Sequence, residues 1–113
     1  MNFTISGKHI MITDAIRAYA EEKTSKLPRY YDGVNQAEVV VDGSRGANKI
    51  CVEIIARGEH GVVFVATDMA EGACASIDGA IHKLEQQLRK RKAKERDNKH
   101  MGEGSSSAGQ TQL

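Results

Sequence analysis

Hydrophobic and polar positions along the chain divide it into six regular elements, four of them strands. Residues 3–6 alternate apolar and polar before Gly7, which predicts a short first strand. Runs rich in β-branched residues at 37–42, 50–57 and 62–67 predict three more strands, and the Gly-containing segments between them are short enough for hairpins. The residues that alternation assigns to buried positions are Val39, Val41, Ile50, Val52 and Ile54.

A first helix is predicted between the first and second strands. Thr13 supplies an N-cap, and Asp14 supplies a carboxylate in the first turn, where the helix dipole favours negative charge. We expect the helix to run from about Asp14 to about Leu27, because the residue before Pro28 avoids the helical region. Lys23 interrupts the apolar stripe of this helix. Either its aliphatic stem lies along the core, or its ammonium group serves a ligand.

A second helix is predicted from about residues 71–72 onward. After Leu88 the apolar stripe would continue at Arg91, Lys92 and Glu95, which are costly to bury. We therefore expect the last turns of this helix to project beyond the core. The core stripe itself consists of Ala73, Ile77, Ala80, Ile81, Leu84 and Leu88.

The element order β-α-β-β-β-α indicates an α+β fold. A right-handed crossover would pair the first strand parallel to the second, and hairpins would add the others. The result is a four-stranded mixed sheet with both helices packed on one face. The 113 residues, 40% of them hydrophobic, support one core of ordinary size. We expect one domain over residues 1–100 and a disordered Gly/Ser-rich tail over residues 101–113, which lacks the bulk to repay the entropy of ordering.

Charge is distributed unevenly, although the net charge is only +1. Residues 80–100 contain eight Lys and Arg against three Asp and Glu, whereas residues 1–79 contain eight against eleven. Positive charge concentrated at one end is what a surface for a polyanion requires. The alternative is a solvated helix face, which the scarcity of carboxylates in the basic run disfavours.

The candidate nucleic-acid contacts lie mainly on the second helix, where arginines can grip phosphates with two donors and lysines act as point charges. Spacings of i, i+4, i+7 and i+11 place on one side of it Lys83, Gln87, Lys90 and Lys94. The same end carries Arg89, Arg91 and Lys92. The first helix and its end contribute Arg17, Lys23, Lys26 and Arg29. The far face of the sheet, with Glu38 and Glu53, is unsuited to phosphate and argues against an aromatic base-stacking platform.

Other chemistry finds little support in the residues. The two cysteines and four histidines have no metal-site spacing, and we expect no metal and no cofactor. Cys74, near a helix N-terminus, leaves a thiol enzyme as a weak alternative without an evident base. Residues 43–46 match the GXXG clamp of KH domains, but they lie between strands and predict a hairpin. No export signal or membrane-spanning run is evident, so we expect a cytoplasmic protein.

The assembled pattern resembles the ribosome hibernation promoting factor and ribosome-associated inhibitor A family, in its short form. The resemblance spans about residues 1–95, with Gly72-Ala73-Cys74 standing where family members commonly have Asp-Met-Tyr. The stretches that carry it are FTISG at 3–7, ITDAIR at 12–17, KL at 26–27 and IDGAIHKLEQQL at 77–88.

The resemblance implies a fold like a double-stranded-RNA-binding domain with one additional strand. It also implies a non-enzymatic protein that binds small-subunit rRNA in the decoding channel of resting, stationary-phase ribosomes and stops translation by occluding messenger and transfer RNA. We expect it to be monomeric when free and to take no small-molecule substrate. The alternative is a general RNA-binding or chaperone-like module of the same fold that is not tied to ribosomes.

Overall fold

Four strands form one mixed sheet in the computed structural model, which describes the backbone of residues 1–101 and the side chains of residues 1–96. The predicted order β-α-β-β-β-α is confirmed. Short 3-10 turns at Leu27–Arg29 and Glu59–Gly61 interrupt the connections. The elements are β1 (Asn2–Lys8), α1 (Asp14–Thr24), β2 (Val34–Asp42), β3 (Lys49–Gly58), β4 (Val63–Glu71) and α2 (Ala73–Met101). Residues 102–113, nearly all of the predicted tail, lie outside the described residues.

Strand pairing follows chain order, β1-β2-β3-β4. β1 is parallel to β2, as predicted, and the other two pairs are antiparallel. One row across the sheet joins Ile5, Val39, Ile54 and Ala66, and all four side chains point toward the helices. The alternation prediction is confirmed at the strand centres, where Val39, Val41, Val52 and Ile54 are fully buried, whereas Ile50, nearer the end of β3, is only partly buried.

The first helix ends at Thr24, three residues earlier than the sequence predicts. Proline lacks an N–H, so Pro28 cannot donate to the carbonyl four residues back, and the chain tightens into a 3-10 turn instead. Two hydroxyls support this early end: Thr24 Oγ1 donates to the Ala20 carbonyl at 2.9 Å, and Ser25 Oγ donates to the Glu22 carbonyl at 2.6 Å. Thr24 is fully buried, and its satisfied hydroxyl explains why a polar side chain is tolerated there.

Strand β4 continues to Glu71, beyond the Thr67 boundary that the sequence predicts. The added part contains Asp68, a residue with low strand propensity, which points to the helix side of the sheet. Its carboxylate lies against Gly79 of α2 and accepts from Lys83 Nζ at 3.1 Å. A partner on the packed helix therefore overrides the local preference of Asp68.

Helix α2 buries one stripe on β3 and β4 and meets α1 along its flank. Its fully buried residues are Ser76, Ile77, Ala80, Leu84 and Leu88. Each large apolar side chain in this stripe contributes roughly 1.5–3 kcal/mol of burial free energy.

The two helices are fastened by the Tyr19 hydroxyl, which donates to Asp78 Oδ1 at 2.6 Å. This hydrogen bond, aided by desolvation and by the charge of Asp78, raises the pKa of Tyr19 to about 12. Since the folded-state pKa lies above the ordinary value of 10.0, the stabilisation is complete below about pH 10 and is lost as pH rises through about 12.

Replacing Asp78 by Ala should bring the Tyr19 pKa down toward 10, because the acceptor and its charge are both removed. The phenolate titration of Tyr19, followed by NMR of its ring, measures this shift. Glu22→Gln is the control, since Glu22 contributes least to raising the pKa, and this variant should still titrate near 12. An unchanged titration in Asp78→Ala would contradict the assigned hydrogen bond.

Replacing Gly79 by Ala should destabilise the fold by about 1–2 kcal/mol, because the new Cβ would overlap the Asp68 carboxylate and force it away. Urea denaturation measures the change. In an Asp68→Ala background the same substitution should be neutral or stabilising, since the clash disappears and alanine favours the helix. Equal losses in both backgrounds would show that the carboxylate is not the obstacle.

Candidate nucleic-acid interface

One flank of α2 is attached to strand β4 by residues spaced four apart. Lys83 Nζ donates to the Thr67 carbonyl at 2.9 Å and Gln87 Nε2 donates to the Val65 carbonyl at 2.8 Å. One turn further on, the Arg91 guanidinium lies 5.8 Å from the centre of the Phe64 ring. Three of the eleven predicted RNA contacts therefore have an intramolecular partner on β4.

The opposite flank of α2 faces α1, and Lys23 of α1 lies beside it. The Nζ of Lys23 is 4.0 Å from Asp78 Oδ1 and 5.3 Å from the centre of the Tyr19 ring, and the Lys23 side chain is 33% exposed. Lys23 and Lys83 thus lie on different sides of α2. The two lysines therefore do not share one continuous surface.

The segment after Leu88 remains attached to the body of the protein. Glu95 accepts from the Tyr31 hydroxyl at 2.8 Å and from Arg91 Nε at 2.6 Å. These hydrogen bonds, that of Tyr31 first, lower the pKa of Glu95 and keep its carboxylate charged. The expectation that the last turns extend beyond the core is confirmed for the described side chains, since Leu88 is the last buried residue and Arg91 and Glu95 are exposed. Arg91 and Glu95 nevertheless neutralise each other, and Tyr31 completes the network.

The 3-10 turn after α1 brings a second aromatic residue to α2. The Arg89 guanidinium lies 5.0 Å from the centre of the Tyr30 ring. Arg89 Nη2 also donates to Glu85 Oε2 at 2.9 Å. Lys92 lies on the same side and lines an open pocket of about 270 Å³, whose other lining residues include Tyr31, Asp32, Glu59 and Glu95. This contact places the cations at the end of α1 beside those in the second half of α2.

Six of the ten predicted lysine and arginine contacts have no carboxylate within 4.0 Å among the residues whose side chains are described. They are Arg17, Lys26, Arg29, Lys90, Lys92 and Lys94. Five of them are exposed and Lys26 is half-buried. Arg17 precedes Lys26 by nine residues, which is a half-turn out of phase on a helix, so it lies apart from the others. We call Lys26, Arg29, Arg89 and Lys92 the junction cations, since they lie where the end of α1 meets α2. Lys90 and Lys94 lie on the same side of α2 as Lys83, toward β4.

Tyr30 and Tyr31 are functional positions that the sequence does not single out. They follow Pro28 in an apparent loop, and their contacts with Arg89 and Glu95 join residues about sixty positions apart. The only local signal is a pair of aromatic residues beside Arg29. Each ring or hydroxyl orients a residue of the basic helix, so these tyrosines shape the junction.

Neither metal nor thiol chemistry gains support from the described part of the chain. It contains no group of three His, Cys, Asp or Glu side chains arranged to hold a metal ion. Cys74 is exposed at the start of α2, and no helix in that part is long and apolar enough to cross a membrane. Residues 43–46 form the turn between antiparallel β2 and β3, as the hairpin interpretation predicts.

Relatives of known description cover most of the chain. A ribosome hibernation promoting factor from Azotobacter vinelandii is 33% identical over 102 residues, covering 84% of this chain and 86% of the relative. Ribosome hibernation promotion factors from Staphylococcus aureus (strain COL) and Lactococcus lactis subsp. cremoris (strain MG1363) are 39% and 32% identical and cover 83% of this chain. The chain spans about half the length of these last two relatives.

Solved structures share the fold. The N-terminal domain of Thermus thermophilus Protein Y superposes with a TM-score of 0.69 at 34% identity, covering 80% of this chain and 99% of that one. A ribosomal subunit interface protein from Coxiella burnetii has the same TM-score at 24% identity, covering 82% and 99%, which shows the fold alone. The family described as Sigma 54 modulation protein / S30EA ribosomal protein matches residues 3–96, from β1 through most of α2, and this chain belongs to that family.

Proposed function

We propose that this chain is a ribosome hibernation factor that binds small-subunit rRNA in the decoding channel. Bound there, it inhibits translation by occupying the path of messenger and transfer RNA, and no bond is made or broken. Relatives named as ribosome hibernation factors support the assignment. The observation that carries it is the junction cations: three of these four have no described carboxylate within 4.0 Å and are available to phosphate.

The predicted RNA contacts differ in whether they already have a partner within the protein. Lys83, Gln87 and Arg91 already have partners on β4, so transferring them to phosphate costs the existing hydrogen bond or ring contact. Lys26, Arg29 and Lys92 require no such exchange. Arg89 is an intermediate case, because it contacts the Tyr30 ring and pairs with Glu85 while its side chain stays largely exposed. We therefore assign most of the binding free energy to the junction.

The position of this surface is fixed by contacts of Tyr30, Tyr31 and Glu95. Tyr31 packs edge-on against Phe64, with ring centres 5.5 Å apart, and its hydroxyl holds Glu95. The turn after α1 is thereby fixed against α2, and the cations of the two elements keep a constant spacing. A preorganised set of charges binds a structured RNA with less loss of side-chain entropy than a mobile set.

Neutralising Lys26, Arg29 and Lys92 by substitution with Gln should weaken binding to isolated small subunits about tenfold or more at moderate salt, since each lost phosphate contact removes counterion release. Co-sedimentation measures the affinity. The matched control replaces Lys8, Arg45 and Lys49 by Gln, an equal loss of charge among exposed residues at the other end of the sheet. Unchanged binding by the junction variant, or equal weakening in the control, would reject the proposed surface.

The salt dependence of binding should also change in the junction variant. The logarithm of the affinity falls linearly with the logarithm of salt concentration, with a slope of about 0.7–0.9 per phosphate contact. Losing three contacts should therefore reduce the slope by about two to three units, whereas Lys83→Gln alone should leave it unchanged. A full unit lost with Lys83→Gln and little change with the triple substitution would place the main contacts along β4.

A competition experiment distinguishes occlusion of the decoding channel from general RNA binding. Small subunits loaded beforehand with messenger and transfer RNA should exclude the protein, whereas excess unstructured RNA should displace it poorly from empty subunits. The reverse pattern would favour a general RNA-binding module over a hibernation factor.

A further inference from the structure

Strand β4 lies at an edge of the sheet and has the composition of a self-associating segment. Residues 62–67 read VVFVAT, with no charge and no proline, and they favour strand structure. On the face away from the helices, the side chains of Val63, Val65 and Met69 are 54%, 43% and 49% exposed. An apolar edge of this kind is a template for pairing with another strand.

The other edge of the sheet differs in chemistry. On the outer face of β1 the chain places Asn2, Thr4 and Ser6, which are polar and exposed, and the strand ends at Lys8. Strand pairing there would bury hydroxyl and amide groups rather than apolar surface. The risk of association is therefore concentrated at β4.

Two side chains of α2 occupy the free edge of β4. Val65 and Thr67 are two residues apart in the strand, so their backbone groups point in the same direction. A helix that lies on the face of a sheet reaches such carbonyls only where no neighbouring strand covers them. Gln87 Nε2 donates to the Val65 carbonyl at 2.8 Å, and Lys83 Nζ donates to the Thr67 carbonyl at 2.9 Å. An incoming strand would need these two carbonyls as acceptors.

Lys83 is held in this position by a second contact. Asp68 Oδ1 lies 3.1 Å from its Nζ, and the carboxylate of Asp68 rests on α2 at Gly79, where any Cβ would displace it. The ammonium group therefore has both a carboxylate and a carbonyl as partners, although its side chain is 54% exposed. An incoming strand would have to break this pair as well as the hydrogen bond to Thr67.

We propose that Lys83 and Gln87 guard the β4 edge and keep the chain from pairing with a second copy through it. In their absence two copies pair β4 with β4, antiparallel about a two-fold axis, and extend the sheet across the interface. This role is independent of ribosome binding, because it concerns the free protein.

The test compares two double variants by sedimentation equilibrium without RNA. Lys83→Met with Gln87→Leu removes both donors while keeping side-chain size. Its matched control is Gln86→Leu with Lys90→Met, which has the same residue types and spacing on the same helix, at exposed positions that donate no hydrogen bond to β4 among the described residues. The first variant should show an average mass approaching twice the monomer mass, about twofold, at concentrations where the wild type and the control are monomeric.

A third substitution locates the interface. Val65→Lys places an exposed charge on the edge strand and should return the associated double variant to the monomeric mass, because edge lysines oppose strand pairing. If the double variant does not fold by circular dichroism, the single variants Lys83→Met and Gln87→Leu replace it, each with weaker association expected. A folded variant that stays monomeric, association equal to the control, association that survives Val65→Lys, or a wild type that is itself dimeric would each overturn the proposal.

Discussion

Burial of the α2 stripe on β3 and β4 is the constraint on which the rest of the structure depends. Ile77, Leu84 and Leu88 are fully buried there, and together they fix how the helix is rotated about its axis. Once that rotation is set, the remaining positions have no freedom: one flank faces α1 and the other faces the β4 edge. The charged residues of the helix up to Arg96 take their environment from this packing.

The same packing assigns different roles to side chains of one chemical type. Lys83 lies on the β4 flank and has a carboxylate and a carbonyl as partners, whereas Lys92 lies on the flank toward the turn after α1. A lysine whose ammonium group is already paired gains little from a phosphate, because it exchanges one favourable contact for another. A basic stripe on a helical wheel therefore overstates the surface that is free to bind RNA.

Local sequence rules succeeded where a short stretch decides the structure by itself. The Thr13 cap forms as predicted, with its hydroxyl accepting from the Ile16 amide at 3.1 Å, and strand alternation identifies the buried centres of β2 and β3. The same rules failed at the end of α1 and in the second half of β4. In both places a distant or competing partner, the 3-10 turn at Pro28 and the α2 side chains at Asp68, outweighs propensity.

The sequence by itself determined the element order, the core stripes and the excess of positive charge in α2, since periodicity and composition are local properties of the chain. It also determined family membership, which runs from residue 3 to residue 96. Only the tertiary structure decided which cations are available. Tyr31 meets Glu95 and Lys83 meets Thr67 across long stretches of chain, and such contacts form only after the helix has packed on the sheet.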